Sequence, residues 1–131
     1  MSEAEKSEKI TINLGLVDLG QIDLLVREGF YANRTDFIRT AVRNQLRTSG
    51  DAITQTVARR TLVLGTEHYS RAALEELREE GRRVHIRVLG LASIADDVPP
   101  ELARATIASV EVLGAFRASP AVKAALAGRI A

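Results

Sequence analysis

The sequence predicts an α+β chain in two parts, and three observations predict it. Residues 9–14, "KITINL", alternate polar and apolar side chains with a period of two, as a half-buried strand does. The residues that follow, to about 50, place their apolar positions at helical spacing. Beyond them a phrase recurs: "LVLG" at 62–65, "RVLG" at 87–90 and "EVLG" at 111–114. The expected organisation is an arm over residues 1–8, a strand and two helices over 9–50, and a strand–helix repeat over 51–131.

Residues 1–8 are polar and mixed in charge and read as a disordered arm. In the strand, Ile10, Ile12 and Leu14 share one side and Lys9, Thr11 and Asn13 the other. The first helix is expected from Gly15 to about Gly29. Leu19, Ile22, Leu25 and Val26 lie on one face, and Asp18 serves as N-cap or first-turn acid. Gly29 stops it where a left-handed residue costs little. The second helix starts at Asn33, a good N-cap with Asp36 three residues on, close to a capping box. Its apolar stripe is Phe37, Ile38, Ala41, Val42 and Leu46. Arg39, Arg43 and Arg47 repeat every four residues on another face, read as solvated, and Gly50 ends the helix.

The repeat places Gly65, Gly90 and Gly114 25 and 24 residues apart, with Leu77, Leu102 and Leu126 each twelve residues further on. A β-like run precedes each glycine, and a short loop and helical stretch follow it. Ser70, Asp97 and Ser119 stand where helix caps belong, and Pro99, Pro100 and Pro120 in first turns. Three strand–loop–helix units of this period stack into a solenoid-like array or form a small parallel sheet with helices on one face. No Asn ladder of a leucine-rich repeat accompanies them.

Composition narrows the function classes. The chain is 46% hydrophobic and 27% charged, with no Trp and no Cys. Disulfides, thiolate metal sites and cysteine nucleophiles are thereby removed. Two histidines, His68 and His85, supply metal chemistry poorly, so no metal or other cofactor is expected. His68, Ser70 and Asp96 could be drawn as a triad, but no nucleophile elbow surrounds them, and no enzyme is expected. No apolar run reaches a membrane span and no signal peptide is visible, so the expected location is cytoplasmic, at the nucleoid. The net charge is only +1, so any basic surface is local.

A strand followed by two helices leaves the strand without a partner, unless two chains lay their strands side by side, antiparallel. Residues 9–48 resemble the ribbon-helix-helix DNA-binding fold of the Arc/MetJ/CopG group, above all in "YANRTDFIRTAVRNQL". The resemblance implies a dimer whose paired ribbon enters the major groove. It implies base contacts by Lys9, Thr11 and Asn13, and phosphate contacts by Asn33, Arg34 and Thr35 at the start of the second helix. The physics of a helix N-terminus agrees, since its free N–H groups favour an anion. Only Lys9 of the strand trio is charged, and residues 1–50 hold seven basic and seven acidic side chains. Counter-ion release per dimer is therefore small, and several dimers side by side are expected on DNA.

The partners expected are double-stranded DNA and a second copy through the N-terminal strand and helices, with further copies through the repeats or another protein as the additional partner. The apolar stretch "KAALAGRIA" is expected to meet another copy. The leading reading is a transcriptional repressor. The alternatives are an antitoxin, whose C-terminal segment masks a toxin, and a DNA-organising or partition protein that assembles through its repeats.

Overall fold

The computed structural model describes residues 6–131; most of the expected arm, residues 1–5, lies outside the described residues. The chain divides into two compact units, Ser7–Thr56 and Val57–Ala131.

In the first unit, residues 9–14 form no strand within their own chain. Helix α1 (Leu16–Arg27) follows, with Gly15 at its N-cap and Asp18 in its first turn. It ends as expected at Gly29, whose φ is 85°. There the Phe30 N–H reaches back to the Leu25 carbonyl at 3.0 Å, a Schellman closure. Helix α2 (Arg34–Thr48) starts at Asn33, whose side chain accepts the Asp36 N–H at 2.8 Å.

Gly50 does not end that helical region. A single turn residue, Ser49, separates α2 from α3 (Gly50–Arg60), which the sequence reading missed. Gly50 opens a helix instead of stopping one, and the stop itself carries no glycine. The residue after α3 is Thr61, at φ 56°, in the position Gly29 holds after α1. The Leu62 N–H closes on the Val57 carbonyl at 3.1 Å. A β-branched residue there is strained by roughly 1–3 kcal/mol.

The second unit alternates strand and helix: β1 (Val63–Tyr69), α4 (Arg71–Glu79), β2 (Val84–Ile94), α5 (Pro100–Thr106), β3 (Ile107–Arg117) and α6 (Pro120–Ala125). The three strands make a parallel sheet in the order β1-β2-β3. Each repeated phrase falls in register with the next: Leu64, Leu89 and Leu113 form one row, and Gly65, Gly90 and Gly114 the row beside it.

The glycines sit inside the strands rather than at their ends. A side chain on Gly90 would lie 2.1 Å from the Gly65 carbonyl oxygen, and one on Gly114 2.1 Å from that of Gly90. Close approach of one backbone to the next is the reason for the repeated glycine.

Helix caps follow the expectation at Ser70 and Ser119, whose hydroxyls accept the Ala73 and Val122 N–H groups at 3.1 and 3.2 Å. Asp97 is not the third cap. Pro99 holds that place without a side-chain bond, and Pro100 opens α5, so Pro99 lies outside the first turn.

The core lies between the sheet and the helices that follow its strands. Leu74, Ile86, Leu102, Ile107, Val122 and Leu126 are fully buried there. One of these departs from an expectation: Leu126 of "KAALAGRIA" is spent in the chain's own core rather than offered to another copy. Beyond α6 a short 3₁₀ turn, Ala127–Arg129, leads to Ile130, which bridges to Val110 beside β3. No helix among the described residues is long and apolar enough to cross a membrane.

Candidate nucleic-acid interface

Lys9, Thr11 and Asn13 are exposed, as are their neighbours Ile10, Ile12 and Leu14 at 79, 58 and 39% of their full surface. The period of two that separates the polar from the apolar set is thus a property of the sequence that a single chain leaves unused.

Asn33, Arg34 and Thr35 lie together at the start of α2, all exposed. Local chemistry fixes this start twice. Asn33 Oδ1 accepts the Asp36 N–H, and Asp36 Oδ2 accepts the Ala32 N–H at 3.0 Å. The first intrahelical bond belongs to Phe37, whose N–H reaches the Asn33 carbonyl. The helix itself has no acceptor for the N–H groups of Arg34 and Thr35.

Arg34 is not simply a free cation. Its guanidinium donates two hydrogen bonds to Asp23 of α1, Nε to Oδ1 at 2.7 Å and Nη2 to Oδ2 at 2.8 Å. The pair holds the Asp23 carboxyl below its ordinary range, through that hydrogen bond first, and raises the Arg34 guanidinium. Nothing in the spacing of residues 23 and 34 announces this pairing, which depends on how the two helices pack.

Arg39 and Arg43 are exposed, as a solvated face requires. They line, with Asn33, Thr35 and Asp36, one open cleft of about 560 Å³ at the start of α2. The signal was present: Thr35, Arg39 and Arg43 follow one another at four-residue spacing, which is one helix face.

In the second unit the sequence's imagined triad is not assembled. Ser70 is used as a cap, and His68 Nδ1 instead shares a hydrogen bond with Ser93 Oγ at 2.7 Å. His85 and Ser109 repeat this pair one strand further on, at 2.8 Å. Glu111 on β3 receives both Arg87 of β2 and Arg60, so Arg60 ends up ion-paired. Among the described residues no group of three His, Cys, Asp or Glu side chains could hold a metal.

An alternating segment unpaired in its own chain, two helices and a capped helix start with spare N–H groups outline a class, that of the DNA-binding transcriptional regulators. The family model of the Ribbon-Helix-Helix transcriptional regulator family matches residues 5–123, and the chain belongs to that family. The match runs well past the segment whose resemblance was legible and takes in all three strands of the second unit. No curated protein and no solved structure matches the chain significantly. Regulators of this family bind DNA and usually dimerise.

Proposed function

We propose that the chain is a sequence-specific repressor. Two copies pair residues 9–14 as an antiparallel ribbon and lay it in the major groove. The observation that carries this is the state of Ser7–Thr56 in a single chain. Its only buried hydrophobic residue is Ile22, while Ile10, Ile12, Leu16, Val17, Leu24, Val42 and Leu46 are exposed. A unit with that much uncovered apolar surface lacks a core of its own, and a second copy would complete one.

Pairing that turns Ile10, Ile12 and Leu14 inward turns Lys9, Thr11 and Asn13 outward on both strands. They are the side chains offered to base edges. The start of α2 takes a backbone phosphate on the N–H groups of Arg34 and Thr35. Asn33 acts there as the cap that shapes the turn, and Arg39 and Arg43 supply positive charge along the same face. Arg34 contributes its side chain only by leaving Asp23, so the carboxylate tempers phosphate affinity. The unit Val57–Ala131 serves assembly of dimers along DNA. Its folded core favours that role over a segment that masks a toxin.

The test is binding to the DNA upstream of the chain's own gene, with Thr11→Ala and Asn13→Ala beside the parent. Both variants should keep their fold and lose discrimination between sequences. Unchanged discrimination in both would remove the ribbon from the base edges.

A further inference from the structure

The sheet of Val57–Ala131 has two unused edges, and they match each other. β1 pairs only with β2 and forms one edge; β3 forms the other. A row of unpaired backbone groups templates another strand unless a proline, lysine or bulge blocks it. β1 contains no proline and no lysine and is mostly exposed.

The register advances by one repeat per strand, so the row after Leu113 and Gly114 is the one β1 would continue. At Gly90 and Gly114 the place of the missing side chain is taken by the carbonyl of the preceding strand's glycine. Gly65 has the same kind of backbone, φ 134°, yet nothing comes within 4 Å of that place. β1 is shaped to receive a carbonyl that its own chain does not provide. The Gly114 carbonyl, next in the series, belongs to the strand at the opposite edge. Ile130 bridges β3 at Val110, before the row of Val63, Val88 and Val112 at which β1 begins.

Charge agrees with the register. Glu67, Ala92 and Phe116 share a row. Continuing it puts Glu67 of an added strand beside Phe116, where the Lys123 ammonium stands 6.0 Å from the ring centroid.

We propose that a second copy adds its β1, parallel, to the β3 edge. Its Gly65 takes the Gly114 carbonyl, its Leu64 extends the leucine row, and its Glu67 meets Lys123. The proposal rests on the assembly role given above to this unit. The two surfaces differ, so the contact is head-to-tail and leaves a free edge at each end. Dimers joined through their N-terminal ribbons then link into chains.

The experiment is light-scattering mass of the full-length protein over a range of concentrations, for the parent, Glu67→Lys, Lys123→Glu and the double variant. The parent should exceed the dimer. Each single reversal should cut the fraction above the dimer at least tenfold, and the double should restore it. The chain has no cysteine, so a second arm mixes Leu64→Cys protein with Leu113→Cys protein and adds a short bismaleimide. Cross-links should form in the mixture and in neither protein alone, a readout that does not depend on how the reversals fold. A parent that assembles but ignores both reversals and gives no mixed cross-link overturns this contact and leaves the assembly role standing. Cross-linking of Leu64→Cys alone overturns it in favour of β1-to-β1 pairing. A parent that never exceeds the dimer removes the assembly role itself.

Discussion

The two units of this chain solve the problem of burial in opposite ways. Val57–Ala131 closes a core of its own, in which Leu74, Ile86, Leu102 and Leu126 lose essentially all their exposure. Ser7–Thr56 buries Ile22 and leaves its other large apolar side chains open or half-covered. Both sequences are patterned for a core. The difference is whether one chain supplies both walls of it. The first unit is read best as half of a structure; the second is complete in its interior and unfinished only at its edges.

The strongest way to break this comparison is Ile12→Asp. A carboxylate in the core proposed between two copies costs several kcal/mol. Dimerisation and DNA binding should fall more than about a hundredfold, read by sedimentation and gel shift. Melting of the second unit should not move.

Leu74→Ala is the converse. With the side chain fully buried, it should destabilise Val57–Ala131 by roughly 2–5 kcal/mol in a denaturant titration. Binding of one dimer to one site should persist.

A smaller effect separates two glycines of one row. Gly65→Ala meets no atom, so it suffers only the backbone strain, about 1–3 kcal/mol. Gly90→Ala suffers the same strain and a collision with the Gly65 carbonyl, so it should melt at a distinctly lower temperature. Equal melting of the two would mean that the strands can separate at no cost.

The smallest effect is that of the exposed Asp23–Arg34 pair, since solvent screens it. Its carboxyl titrates lower in the folded chain than in the unfolded one. The pair's contribution is therefore fully present above about pH 5 and fades as pH falls below about 4, through the lowered value. Asp23→Asn should melt slightly below the parent at pH 6 and together with it near pH 2. With Arg34 released, the same variant should bind DNA a little more tightly and with a steeper salt dependence.

Much of the first unit was legible because its signals are local. Asn33 with Asp36, and Gly29, each state a backbone preference within a few residues. α3 was not legible, because Gly50 and Thr61 are the wrong residues for a helix start and stop, and the surrounding chain overrides their preference. The place of Arg34 was only half legible: its position at the helix start is local, but its partner lies eleven residues back on another helix.

The sequence by itself determined the periodicities: the two-residue alternation, the helical stripes, and a repeat of 25 and 24 residues between glycines. These follow from chain geometry, which every residue reports for itself. Only the tertiary structure decided that the glycines stand inside the strands, one above another's carbonyl, and that Val122 and Leu126 turn inward. It also decided which edges stay open. Those are questions of which backbone comes near which, and proximity between distant residues leaves no mark on either one alone.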